Sequence, residues 1–293
     1  MSSDGHFVSI VVPTLGRGTL DQCRQALERQ TRPADEIVLV VDEERRGASW
    51  ARNEGFRRSR GDLVVFTDDD CVPPPEWLGS LVEAIDSHDA AAAGGSQIEC
   101  DPLLAEIRNR QPPPDRTQID PGGLVGNTAN VVYRRDWLLQ AVERDGYLFH
   151  RSFPTSGEDW ELAGRLRQLG ATMVYVPVHV EHLRRASPWN HCKHQFVRGI
   201  GIAYLARVAR RRGPGFAVQK SKLWGNDKSP PGFKWLRLIW HKAVGPFDIG
   251  SFSSPSRFGW FWLGEKFQGA GYFWAQIKFA SGLASTDAPV GKS

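Results

Sequence analysis

At 293 residues, 41% hydrophobic and with a formal net charge of +4, the chain can pack one large domain, or one domain with an appendage, which excludes wholesale disorder. Its four cysteines, Cys23, Cys71, Cys100 and Cys192, form no CxxC pair, which excludes a disulfide framework and reads as reduced thiols in a cytosolic protein. The first residues lack a basic segment leading into an apolar core, and no window approaches the roughly 18 uninterrupted apolar residues of a span, so neither a signal peptide nor a membrane-crossing helix is expected.

Between residues 7 and 70 the pattern is strand, helix, strand, helix, strand. "FVSIVVP" (7–13), "EIVLVVD" (36–42) and "DLVVFT" (62–67) are β-branched runs suited to a sheet covered on both faces. "LDQCRQALERQ" (20–30) and "ASWARNEGFRRS" (48–59) read as the helices between them. The alternation predicts a Rossmann-like, mainly parallel α/β sheet, whose ligands bind beyond the carboxyl ends of the strands. There the chain places Pro13-Thr14, Asp42 and Asp68 to Asp70.

Further along, a helix is predicted after "PPPEWLGSLVEAI" (73–85), a strand or bulged strand through 91–99, and a Pro-rich loop near 110–115. "GNTANVVYRRDWLLQAV" (126–142) reads as a strand entering a helix. "SGEDWELAGRLRQLG" (156–170) reads as a helix with Ser156 as N-cap and Gly170 just past its end. "TMVYVPVHVEH" (172–182) reads as a strand broken by Pro177.

After residue 182 the texture changes. Residues 1–182 hold 19 Lys+Arg against 29 Asp+Glu, whereas 183–293 hold 18 against 4 and seven of the eleven Trp. The chain therefore divides into residues 1–182 and a basic, aromatic-rich, mainly helical extension, 183–293. Within the extension, "HCKHQFVRGIGIAYLARVARRR" (191–212) is a basic helical pattern; "KWLRLIWHKAV" (234–244) and 257–280 are rich in large aromatics. A Cys and two His as close as in "HCKH" suit a basic helix better than a zinc site.

The three consecutive carboxylates Asp68, Asp69 and Asp70 end a buried strand, and adjacent anions there demand a compensating cation or open solvent. A phosphate-bound divalent cation is one such partner, because Mg²⁺ and Mn²⁺ take carboxylate oxygens together with substrate phosphates. Strand alternation predicts that Asp68 and Asp70 point one way and Asp69 the other. A solvated acidic turn is the alternative. "GRG" at 16–18 is too short for a phosphate loop.

"VSIVVPTLGR", "EIVLVVD", "ARNEG", "GDLVVFTDDD", "GEDWELAGRLRQLG" and "VEH" occur in the order seen in GT-A-fold, family 2 inverting glycosyltransferases, which residues 7–182 resemble. The resemblance implies a nucleotide-diphosphate-sugar donor, a divalent metal, Mn²⁺ or Mg²⁺, at a DxD-type motif, and a single inverting displacement. It implies donor binding by Pro13, Thr14, Asp42, Arg52, Asn53, Asp68 and Asp69, and metal binding by Asp68, Asp70 and His182. It also implies Asp159 as catalytic base, with Glu158 and Trp160 on the acceptor side. One departure is "VDEERRGAS", where members often read DDGSxD.

Such chemistry needs these residue types. A metal neutralises the departing diphosphate, and a carboxylate takes the proton of the acceptor hydroxyl. Blander readings stand beside them: Asp159 as a capping acid in the S-x-x-[DE] pattern, and His182 as a core-edge histidine. For the extension, a basic surface interleaved with Trp suits an anionic membrane interface better than nucleic acid, with a helical cap over the acceptor site as the alternative. The expected partners are therefore the sugar nucleotide, a glycan or lipid-linked acceptor and an anionic membrane surface, with no nucleic acid. The expected place is the cytoplasm or the inner face of the membrane. A nucleotidyltransferase, or a silent carbohydrate- or membrane-binding module, is the rival reading.

Overall fold

The computed structural model describes residues 5–108, 113–120, 122, 125–153, 156–185, 187–213, 216 and 255–281. The elements β1 (Val8–Thr14), α1 (Leu20–Glu28), β2 (Glu36–Val41), α2 (Ala48–Arg58) and β3 (Leu63–Phe66) follow in the expected alternation. Then come β4 (Cys71–Val72), α3 (Trp77–Ser87), β5 (Ala92–Glu99), α4 (Pro102–Arg108) and β6 (Gln118–Ile119). The remainder is β7 (Val131–Arg134), α5 (Arg135–Asp145), α6 (Glu158–Gln168), β8 (Met173–His182), α7 (Pro188–Arg212) and α8 (Pro255–Ala280). The predicted Pro-rich loop lies partly, and the 234–244 segment wholly, outside the described residues.

One sheet runs in the order β2-β1-β3-β7-β5-β8-β4, with β6 also on β8. It is parallel across β2, β1 and β3 and between β5 and β8, while β7 lies antiparallel to both β3 and β5. The sheet is thus mixed, because β7 enters from the 120–130 loop against the direction of its neighbours before feeding α5.

Period-two alternation builds two cores. Ile10, Val12, Leu63 and Val65 face α1 and α3, among Leu27, Trp77, Leu81 and Ile85. Val11, Val64 and Phe66 face the other side, with Leu138 of α5 and Leu162 and Leu166 of α6. The central strands are therefore covered on both faces, as their uninterrupted apolar runs predict. The second strand is the exception: β2 forms the sheet edge and leaves Ile37 and Val41 40% and 51% exposed.

Pro177 does not break β8. The β5–β8 register jumps between Gly94↔Tyr175 and Ser96↔His179, so a bulge absorbs the proline, which lacks a donor for the ladder. The extra residues lie on β8, between Tyr175 and His179, and not on β5, where the sequence allowed a bulge.

Two long helices complete the described chain. Around Gly199 a β-carbon would collide with the α8 backbone at Gln268, and around Gly271 one would collide with the α7 backbone at Phe196. Glycine at both places lets α7 and α8 touch backbone to backbone. "HCKH" lies within α7, where His191 and Cys192 are buried and Lys193 is exposed. Cys23, Cys71 and Cys192 are buried free thiols, and Cys100 is an exposed one.

Candidate active site

The hydrogen-bonded strand β3 stops at Phe66, so Asp68, Asp69 and Asp70 occupy the turn into β4. Released from the pleat, they do not follow the predicted alternation. Asp68 Oδ1 accepts from Arg52 Nη2 at 2.9 Å. Asp69 Oδ2 accepts from Thr14 Oγ1 at 2.6 Å, and Arg17 Nη1 donates to both Asp69 Oδ1 (3.3 Å) and Asp70 Oδ2 (2.9 Å). Two arginines, one from the β1–α1 loop and one from α2, thus supply the positive charge that three adjacent acids require. Burial raises the pKa of Asp69, with the Thr14 hydroxyl and Arg17 offsetting only part of that rise. For Asp70 burial acts in the same direction, but the His182 hydrogen bond and charge outweigh it and lower the pKa.

His182 closes the cluster from the end of β8. Its Nε2 lies 3.3 Å from Asp70 Oδ1, and its Nδ1 lies 2.7 Å from Glu99 Oε2 at the end of β5. The strand register Glu99↔His182 and Cys71↔His182 sets this three-way meeting. Burial alone would lower the imidazole pKa; the bonds to Asp70 and Glu99 override it and lift it to about 9.

Among the described residues no three His, Cys, Asp or Glu side chains are gathered ready to hold a metal. Asp70 and His182 nevertheless fit a divalent cation as a pair. They are adjacent, they offer the carboxylate and imidazole donors that Mn²⁺ accepts, and Glu99 orients the imidazole from behind. Asp68, the third expected ligand, is turned to Arg52.

The acids of α6 meet the same arginine. Gly157 is the N-cap, at φ 103°, where a side chain would be strained, and it displaces the predicted Ser156 from that role. Glu158 Oε1 accepts from Arg52 Nη1 at 2.7 Å. Its other oxygen is buried with no hydrogen-bond partner among the described residues. Asp159 Oδ1 accepts from the Trp160 N–H at 2.8 Å. Burial first, and then the neighbouring Glu158 charge, raise the Asp159 pKa to about 7 against the opposing pull of Arg52. A cavity of about 110 Å³ adjoins Glu158, lined also by Arg46, Trp50, Arg151 and Phe153. A larger cavity of about 340 Å³ between α3 and β8 contains none of the predicted site residues.

Other predicted residues are occupied by the scaffold. Asp42 accepts the N–H groups of Arg46 (2.9 Å) and Gly47 (2.7 Å), closing the loop that starts α2. Asn53 exchanges two 2.9 Å hydrogen bonds with the Phe149 backbone and so ties α2 to the segment after α5. Pro13 sits on β1, paired with Val40 of β2. Trp160 packs with Phe153 and Leu205 in a small apolar cluster under α7.

Sequence reasoning missed Arg17 and Glu99. The demand for a cation beside "DDD" was the available signal for Arg17, since "TLGRG" begins where the parallel neighbour of β3 ends. Nothing local marked Glu99, whose partner lies 83 residues away.

Residues 39–140 match the family model Glycosyl transferase family 2. Over 65 residues the chain is 37% identical to the glucosyl-dolichyl phosphate glucuronosyltransferase of Haloferax volcanii, a match spanning 22% of this chain and only 21% of that protein. It is 26% identical over 245 residues to the amylovoran biosynthesis glycosyltransferase AmsE of Erwinia amylovora, covering 67% of this chain and 89% of that one. In architecture it resembles the mannosyltransferase PcManGT from Pyrobaculum calidifontis, solved with GDP-Man and Mn²⁺. The TM-score is 0.60 at 16% identity, over 92% of this chain and 87% of the other. Residues 39–140 are thus similar to family 2 glycosyltransferases, and the architecture is that of the GT-A fold.

Proposed function

We propose that this chain moves a sugar from a nucleotide-diphosphate-sugar to an acceptor hydroxyl with inversion, using Asp159 as general base. The observation that carries the reading is the α6 N-terminus, where a carboxylate with a pKa of about 7 stands beside a second acid with an unpartnered oxygen. A base of that strength is mostly ionised just above neutrality yet still takes a proton readily. Glu158 Oε2, next to the 110 Å³ cavity, is suited to receive a sugar hydroxyl. Arg52 spans Glu158 and Asp68, holding the base side and the donor side in one register.

Asp70 and His182 would hold Mn²⁺ or Mg²⁺, with Asp68 beside them, and such a cation supplies Lewis-acid neutralisation of the diphosphate. The Mn²⁺ and GDP-Man of the Pyrobaculum neighbour support that choice of group and donor class. Names of the relatives, one a glucosyl-dolichyl phosphate glucuronosyltransferase and one in amylovoran biosynthesis, support a lipid-linked or glycan acceptor. Residues 183–293 then form a basic extension that meets an anionic membrane at its cytoplasmic face; among the described residues no helix is long and apolar enough to cross a membrane.

Thermal-shift screening of nucleotide-sugars with Mn²⁺ identifies the donor, and release of the nucleoside diphosphate follows turnover. EDTA and Asp159→Asn should each abolish turnover with the fold retained. Full activity in Asp159→Asn rules out the assigned base. Pyrophosphate release from a nucleoside triphosphate supports the nucleotidyltransferase alternative, and donor binding without turnover across acceptors supports the silent module.

A further inference from the structure

Helix α8 has two unlike faces. Gly264, Gln268, Gly271, Ala275 and Phe279 recur at helical spacing and are buried against α7. The opposite arc carries Trp262, Phe273, Trp274 and Ile277, exposed by 36%, 50%, 44% and 52%. Positions 262, 266, 270, 273, 274 and 277 fall on one side of a 3.6-residue helix, and none is acidic. Exposed large apolar side chains in this density mark a contact surface, not scattered surface apolarity.

Cations flank the stripe. Lys266 Nζ lies 4.8 Å from the Trp262 ring centroid, and Lys278 Nζ lies 4.6 Å from that of Trp274. At the start of α7, Trp189 is 53% exposed, stacks edge-on against Phe267 at 5.7 Å and carries Lys193 Nζ at 5.7 Å. Each indole is thus paired with an ammonium. An apolar layer with tryptophans at its rim and lysines beside them matches the cross-section of a bilayer interface with anionic headgroups.

We propose that the Trp262–Ile277 face of α8, with Trp189 and Lys193 of α7, is the surface that lies on an anionic lipid membrane. This deepens the membrane part of the proposed function and rests on it. The helix lies in the plane of the interface, with Phe273 and Ile277 in the acyl boundary and Lys193, Lys266 and Lys278 at headgroup level.

The test is flotation of the full chain with phosphatidylglycerol–phosphatidylcholine vesicles. Wild type should rise with the vesicles, less so at high salt and less with phosphatidylcholine alone. Phe273→Ser/Ile277→Ser should weaken vesicle affinity by about tenfold or more, since two apolar side chains leave the acyl layer. Lys266→Glu/Lys278→Glu should abolish the preference for anionic lipid, and it decides the matter if the serine variant melts early. Wild type left at the bottom overturns the proposal, as does equal flotation of wild type and both folded variants. It is likewise overturned if sedimentation shows a dimer that Phe273→Ser/Ile277→Ser splits, which makes this face a contact between copies. Sugar-nucleotide turnover is measured in parallel. Turnover without flotation removes the membrane face alone; flotation without turnover removes the transferase reading alone.

Discussion

Asp159→Asn should make the protein more stable while abolishing transfer, and the gain should depend on pH. In the folded chain burial and Glu158 hold the Asp159 proton up to about 7, whereas an unfolded aspartate releases it near its ordinary value of 3.8. Between those two values the folded state binds the extra proton, so raising the pH through that window removes stability from wild type. The whole displacement corresponds to at most about 4 kcal/mol, of which about 2 to 3 kcal/mol falls between pH 5 and pH 8. Asparagine has no such proton, retains an oxygen for the Trp160 N–H and leaves Arg52 to Glu158 and Asp68. Urea unfolding of both proteins at pH 5 and pH 8 provides the measurement. The Asn variant should lead wild type at pH 8 by about 2 to 3 kcal/mol more than it does at pH 5. Titrating groups that do not interact with Asp159 are shared and cancel in that difference. An equal gap at the two pH values would refute both the raised pKa and the base assignment that depends on it.

Wild-type turnover should fall on the acid side with a limb near 7, read from nucleoside diphosphate release across a pH series. Arg52→Ala leaves Glu158 and Asp68 without their cation, should cost about 3 to 5 kcal/mol in urea unfolding, and should move that acid limb to higher pH. Glu99→Gln weakens the brace behind His182; Mn²⁺ affinity, measured by electron paramagnetic resonance, should drop about 10- to 100-fold, and the melting point should fall as His182 loses one of the two acids that lift its pKa. Arg165→Met removes a fully buried guanidinium bonded to Glu161 and to the carbonyls of Ala141, Tyr147 and Leu148. It should destabilise by about 3 kcal/mol or more, with donor affinity of the folded fraction unchanged.

What could be read from the sequence was whatever has short range. Runs such as "VSIVV" and "LVVF" encode their own alternation, and the helices between them encode their apolar faces, so the β1–β3 half of the fold was legible. The direction of β7 was not, because antiparallel insertion between β3 and β5 is decided by partners up to 71 residues away. Edge position likewise escaped: β2 has the composition of a covered strand but, among the described residues, no neighbour beyond it. In the site, the acids were legible as an electrostatic problem; Arg17 was not foreseen, and Arg52 was expected at the donor and not as the partner of Asp68. Period-two reasoning failed at Asp68 to Asp70 because the ladder ends two residues earlier, at Phe66. Ser156 lost the N-cap to Gly157 because the turn there needs a positive φ that serine adopts only under strain.

Gly201 of α7 bears on the last of these points. A β-carbon there would strike the carbonyl and hydroxyl of Ser156, one residue before the cap of the helix that carries Asp159. At the far end of α7, Arg212 bonds Asp145 Oδ1 at 3.0 Å and the Tyr147 hydroxyl at 3.1 Å. Helix α7 is therefore fastened to the rest of the fold at two points, the turn before α6 and the segment after α5. Calorimetry of the intact chain should register sheet and extension melting in a single transition. Cutting the chain after β8 would take away the α7 surface against which the turn into α6 packs. Any effort to exchange the C-terminal helices between relatives, in order to redirect the enzyme to another surface, must carry the 156–157 turn along with them.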